Sequence, residues 1–315
     1  MAGAVISQDD GSLTGRIYRF LSAIPTWALW IIVVLWTAPT FSLFVNSFRT
    51  RTAQQATGWW TFPNDEAGLS LNNYRDVIST QSSGGLQLGA VNSFAIAIPA
   101  TIIPIAIAAF AAYAFAWIDF KGRQPLFIAT VSLLAVPNQV ALIPLLQTYS
   151  GGAHQTIPWF DKTITLIPDL GLAGTTTAVW ITHTSFAMPF AIFLLHNYIS
   201  QLPGDIFESA RIDGADHFTI FWRLVLPLSV PVLAAFAIFQ FLWTWNDYLI
   251  ALTMIGANGN AHPLTLRIVA LAGQFGAQEH LLSAGAFIMA FIPLMVFFLL
   301  QRFFVRGLLA GSVKG

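Results

Sequence analysis

Six apolar stretches divide the chain, near residues 25–46, 90–117, 125–148, 174–199, 226–255 and 281–304. A helix needs about 20 residues at ~1.5 Å each to cross about 30 Å of hydrocarbon, and every stretch meets that length. The pattern predicts an all-α membrane protein with six transmembrane helices and both termini on one side. A polar segment, 1–24, precedes the membrane part at 25–304, and a short tail, 305–315, follows it. The first apolar run is too long for the core of a signal peptide, so the N-terminal segment is expected to remain. Three segments face the side opposite the termini, near 48–89, 150–173 and 256–280. Trp59, Trp60 and Phe62 make the first of them either a docking surface or part of the aromatic belt at the headgroups. No internal repeat is evident.

Composition agrees with this reading. Apolar residues make up 56% of the 315 and charged residues 9%, against about 25% charged in a soluble domain. The 23 Gly and 16 Pro are scattered through apolar runs, which argues for kinked membrane helices and against disorder. The chain has no Cys, which excludes disulfides and Cys-ligated zinc, and its six His form no metal-type pair. A net charge of zero without interleaved basic and aromatic residues gives no case for nucleic acid. Membrane lipid is the expected surrounding.

Orientation follows from the basic residues, which concentrate on the cytoplasmic side. Arg16, Arg19, Lys121, Arg123, Arg211, Arg223, Arg302, Arg306 and Lys314 make nine on the side of the termini; Arg49, Arg51, Arg75, Lys162 and Arg267 make five opposite. Both termini are expected in the cytoplasm. Arg49 and Arg51 stand against the rule, being close to the first span on the other side.

The segment from Gln201 to Pro227 is too polar to cross a bilayer: it holds Asp205, Glu208, Arg211, Asp213, Asp216 and Arg223. Asp205 and Glu208 have the spacing of a capping box, Gly214 fits the position past a helix end, and Asp216 fits the start of a second short helix. In that helix Phe218, Phe221, Trp222 and Val225 form an apolar stripe, and Pro227 is expected to begin the fifth span. A cytoplasmic helix-turn-helix over 201–226, between spans 4 and 5, suits docking to a soluble partner.

The sequence Glu208-Ser209-Ala210, then Asp213-Gly214-Ala215, then Leu226-Pro227, resembles the Glu-Ala-Ala loop of binding-protein-dependent ABC importer permeases, with Ser209 in place of the commoner Ala. The resemblance implies that 201–226 is a coupling element seated in a cleft of an ATPase subunit, with Glu208, Ala210, Asp213 and Gly214 at the contact. Trp243 to Leu249 and the C-terminal Arg306 to Gly315 resemble the carbohydrate-uptake branch. From Trp27 onward the chain is similar to the second permease of maltose and α-glucoside importers. In that branch the tail enters the ATPase interface, which implies contacts from Gly311, Ser312 and Lys314; a frayed terminus is the plainer alternative. The resemblance further implies an ATPase dimer, a second permease and an extracytoplasmic sugar-binding protein as partners. ATP and Mg are then expected on the ATPase, with no cofactor and no catalysis on this chain, in a bacterial or archaeal inner membrane.

In the fifth span Gln240, Trp243, Thr244 and Asp247 fall at i, i+3, i+4 and i+7, one polar and aromatic face on an apolar helix. Such a face avoids lipid. With Asn246 it forms a candidate translocation path; packing against another span is the competing explanation. Asp247 lies 20 residues after Pro227, about 30 Å along a helix, near its outer end. Asn138, Gln139, Gln147 and His183 are further candidates of the same kind.

Other function classes are less well served. None of the three lysines follows a Gly, so there is no Walker A loop. A self-sufficient secondary sugar transporter is the alternative, but it calls for repeats and midplane ionisable groups. A membrane enzyme calls for clustered acid and base residues.

Overall fold

The computed structural model describes residues 25–65, 68–79, 85–157, 162–272 and 279–310. Segment 1–24 and the tail residues Gly311, Ser312 and Lys314 lie outside the described residues. Helix α1, Thr26–Phe48, is apolar on all sides and leaves Trp27, Trp30 and Trp36 exposed, as expected of a helix bathed in lipid. Helix α4, Gly85–Trp117, and helix α7, Thr176–Ile199, pack along each other. Ala108, Ala109 and Ala112 of α4 join Ala187 and Ala191 of α7 in one buried cluster, small side chains that let two backbones approach closely in a membrane. Helix α13, Glu279–Ala310, closes the bundle and carries regular helix beyond the expected span end at 304.

Two expected spans are broken. The third consists of α5, Arg123–Ser132, with a 3-10 turn to Ala135, then α6, Asn138–Gly151, at a bend of 100°. Pro137 explains the break: it offers no N–H and holds the preceding Val136 extended, at φ −82° and ψ 120°. Five helices are long and apolar enough to cross a membrane, or six with this bent pair as one span. The fifth span is one 29-residue helical rod, His217–Trp245, made of α9 (His217–Ile220), a π-helical turn (Phe221–Val225) and α10 (Leu226–Trp245). Pro227 does not begin it, because a proline in the first turn of α10 meets no obstacle when the preceding turn is already wide. Nor does the rod reach 255; it stops at Trp245, and α11, Leu249–Ile255, restarts after a turn.

The segment after α1 folds into a cap. Helix α2, Arg51–Ala56, a 3-10 turn, Trp59–Asn64, and α3, Asn72–Ser79, surround Arg49, which is fully buried. Its guanidinium donates to Asp65 Oδ2 at 2.6 Å and Oδ1 at 3.2 Å, to Thr57 Oγ1 at 2.6 Å and to the Ala53 carbonyl at 3.1 Å. Asn73 Nδ2 donates to the carbonyls of Ser47 and Arg49, tying α3 to the end of α1. Segment 150–173 contains a hairpin absent from the all-helical expectation, β1 (Ala153–Ile157) antiparallel to β2 (Lys162–Ile167). Its alternation of Thr and Ile is a strand pattern, and Thr156 and Thr163 hydroxyls meet across it at 3.1 Å. Helix α12, Leu264–Ala272, follows α11, and its Arg267 donates to the carbonyls of His262, Gly259 and Gly85.

Candidate functional site

The polar segment after α7 folds as two short helices. Helix α8, Gly204–Ile212, starts from Pro203, whose fixed backbone suits a helix entrance. Asp205 therefore lies inside the first turn, where its charge complements the helix dipole, and it forms no capping box with Glu208. That expectation fails because the helix begins two residues earlier than the acid pair suggests. Its other end is as expected: Gly214 takes φ +80°, with Gly214 N donating to Arg211 and Ala215 N to Ala210. Asp216 caps α9 by accepting from the Thr219 N–H at 2.8 Å. The Thr219 hydroxyl and N–H together hold its carboxyl below the ordinary carboxylate value.

The element has two unlike sides. Phe207, Ile220, Phe221 and Val225 are buried in the bundle. Glu208, Asp213 and Gly214 are exposed, Ala210 is half-buried, and Ile212 is 86% exposed. The expected stripe is thus divided: Phe221 and Val225 turn inward, while Phe218 and Trp222 face out. Among the described residues Glu208 makes no hydrogen bond or ion pair. The outward side of the element thus carries acidic groups, Glu208 and Asp213, together with the exposed apolar side chains Ile212, Phe218 and Trp222.

In the bundle, a groove of about 460 Å³ opens between the broken third span, α7 and α10. Asn138, His183, Gln240 and Trp243 contribute to a lining that is otherwise mainly apolar, with Phe186, Phe190 and Phe239. The expected single face on the fifth span is corrected. Gln240 and Thr244 are buried against α4, with Gln240 Nε2 donating to the Ala100 carbonyl at 3.1 Å and to Thr244 Oγ1 at 3.4 Å. Trp243 is 51% exposed, with its ring edge-on to Phe239. Asn246 bonds back to the Leu242 carbonyl at 2.8 Å. Asp247 lies past the helix end, and its carboxylate accepts from the N–H groups of Ile250 and Ala251 in α11. Its Oδ2 is 3.5 Å from Nε2 of the buried His183, a nitrogen without a hydrogen-bond partner among the described residues. Asn138 and His183 thus join Gln240 and Trp243 at the groove, while Gln139 and Gln147 are exposed elsewhere on α6. The aromatic wall, Phe186, Phe190 and Phe239, escaped sequence reasoning because nothing distinguishes these from the other phenylalanines of an apolar chain.

Residues 105–310 match the family described as the binding-protein-dependent transport system inner membrane component. The chain is 46% identical over 318 residues to the osmoprotective compounds uptake permease protein GgtD of Synechocystis sp., covering 100% of both chains. It is 50% identical over 248 residues to the alpha-glucoside transport system permease protein AglG of Rhizobium meliloti, covering 78% of this chain and 61% of that one. In fold it is similar to a chain of a bacterial ABC transporter involved in the import of the acidic polysaccharide alginate, at a TM-score of 0.69 and 17% identity over 93% of this chain and 98% of that one. The matched region takes in both the two-sided element after α7 and the groove, and the chain belongs to the family of binding-protein-dependent transport system inner membrane components.

Proposed function

We propose that this chain is one permease subunit of an ATP-driven importer of α-glucosides or related small oligosaccharides, working with a second permease, an ATPase dimer and an extracytoplasmic binding protein. The observation that carries the reading is the element at 201–226: an acidic helix held to the bundle on one side and uncovered on the other. Glu208, with Ala210, Asp213 and Gly214 around it, seats in the ATPase, and the tail with Gly311, Ser312 and Lys314 reaches the same subunits. ATP and Mg are bound there and not by this chain. The groove with Gln240 and Trp243, continued by Asn246 and Asp247, is this subunit's share of the path, completed by the second permease. The substrate class is supported by the 50% identity to AglG over 248 residues. A self-sufficient secondary transporter is not favoured by a match to a binding-protein-dependent family.

Because Glu208 caps nothing among the described residues, its charge is available for a basic group of the ATPase. A charge-assisted bond of about 1.5–3 kcal/mol corresponds to roughly tenfold or more in affinity. In the reconstituted complex, Glu208→Gln should weaken uptake and substrate-stimulated ATP hydrolysis together, and Glu208→Lys should weaken both further. Full activity of Glu208→Lys at normal complex yield would remove Glu208 from the contact. Titrating the binding protein with a panel of glucosides tests the substrate class.

A further inference from the structure

We propose that the element at 201–226 drives the second span, α4, through a ladder of aromatic side chains, Phe110, Tyr113 and Trp117, and not only the two spans it connects covalently. The proposal rests on the reading that this element seats the ATPase.

The covalent connections run to α7 at Ile199 and, through the π-helical turn, to α10. The packing runs elsewhere. Phe207, the one fully buried side chain of α8, stacks on Trp117 with ring centroids 3.8 Å apart and planes at 17°. The Trp117 indole N–H donates to the Ile199 carbonyl at 3.0 Å, so the same ring also fastens the end of α7. One step along the chain, His217 of α9 meets the Tyr113 hydroxyl through Nδ1 at 2.9 Å. One further step on, Phe221 of the π-helical turn stacks on Phe110 at 4.3 Å and 22°, and Trp222 meets the same ring edge-on at 6.0 Å.

Residues 110, 113 and 117 lie at i, i+3 and i+7, a single stripe on α4. Each of the three pieces of the opposing element touches the stripe, and Phe221 bridges two of its rungs, packing on Tyr113 at 5.6 Å as well as on Phe110. Such a register leaves little room for sliding, because close-packed interiors transmit displacement instead of absorbing it. The π-helical turn belongs to this arrangement: π turns are rare and favour functional positions, and this one carries Phe221 onto Phe110 while Ile220 and Val225 stay buried. The outer side of the element, with Glu208, Ile212 and Phe218, makes none of these contacts and stays available for the ATPase. A push on that side is delivered to the cytoplasmic half of α4, which packs along α7, the helix that lines the groove with His183.

The test uses the whole complex in proteoliposomes and measures substrate taken up per ATP hydrolysed. Trp117→Ala removes the stack on Phe207 and should lower that ratio by about twofold to thirtyfold, the range found for residues that carry coupling between sites. Trp117→Phe keeps an aromatic ring and should recover most of it. Combining Trp117→Ala with Phe207→Ala should do no more than Trp117→Ala alone, which already breaks the stack. Should Trp117→Ala fail to assemble, Tyr113→Phe takes its place: it keeps the packing, loses only the hydroxyl bound to His217, and should also lower the ratio. An unchanged ratio in the assembled variants, or a double variant whose loss is the product of the single losses, overturns the ladder. A cross-link from Glu208→Cys to the ATPase separates the two readings. If it forms and the ratio is unmoved, the ladder alone is wrong; if it does not form in the chain with an intact ladder, the docking reading and the ladder fall together.

Discussion

Asp247 stands where α10 stops and α11 begins, and its carboxylate serves both the break and the bundle. It accepts from Ile250 N at 3.4 Å and Ala251 N at 2.9 Å, which restarts the helix, and it lies 3.5 Å from His183 Nε2. An ionisable group in a membrane bundle is retained by such partners. Asp247→Asn keeps an oxygen for the shorter bond, from Ala251 N, and should leave stability almost unchanged. Asp247→Leu removes the acceptors and leaves the part-buried N–H groups of Ile250 and Ala251 without them, at a cost of about 1–3 kcal/mol. Thermal unfolding of the purified complex should separate the two; equal melting of Asn and Leu variants would deny Asp247 this role. The spacing of Gln240, Trp243 and Asp247 marked these residues as polar but not the break between them, because Asn246 ends α10 through a bond to Leu242 that no periodicity announces. Gly214 and Asp216 were legible since a left-handed backbone and a cap each demand a residue type. The Asp205–Glu208 pair misled because its spacing fits a helix interior as well as a cap.

Among the elements, the long apolar spans could be read from length alone, while the two shaped by local chemistry could not. Pro137 breaks the third span, yet Pro99 and Pro104 sit inside α4 without ending it, so proline content did not say which stretch bends. The cap over α1 was hidden for another reason: Arg49 and Asp65 are 16 residues apart and meet only through the fold. The Arg49 guanidinium, by hydrogen bond and charge, holds the Asp65 carboxyl below its ordinary value of 3.8. A carboxyl depressed in the fold adds stability that is complete above the unfolded value and is lost as pH falls through the folded one. The cap should therefore be indifferent to pH between 5 and 8, loosening only in acid below about pH 4. Hydrogen exchange over 51–64 as a function of pH should show the transition, and Asp65→Asn should open the same segment at neutral pH. Equal protection of Asp65→Asn and the unaltered chain at pH 7 would show that the ion pair does not hold the cap.

For the molecule as a whole, the number of spans and the element between the fourth and fifth were legible, and orientation was the weaker inference because five basic residues opposed nine. Two of the five now have a folding reason to be where they are. Arg49 is enclosed with Asp65 and the carbonyl of Ala53, and Arg267 is engaged by the carbonyls of His262, Gly259 and Gly85. Arginines built into caps are structural parts, so their side of the membrane says little about charge retention, and the remaining three, Arg51, Arg75 and Lys162, oppose nine. The orientation with both termini and the element at 201–226 in the cytoplasm is an expectation that labelling tests. The chain has no native Cys, so single cysteines report without background. Trp60 is 69% exposed on the cap, and Trp60→Cys should react with a membrane-impermeant maleimide in intact cells. Ser312→Cys and Ile212→Cys should react only after the membrane is opened, and Ile212→Cys should be shielded when the ATPase is bound. Reaction of Ser312→Cys in intact cells, with Trp60→Cys silent, would invert the molecule and place the element at 201–226 out of reach of any ATP-hydrolysing partner.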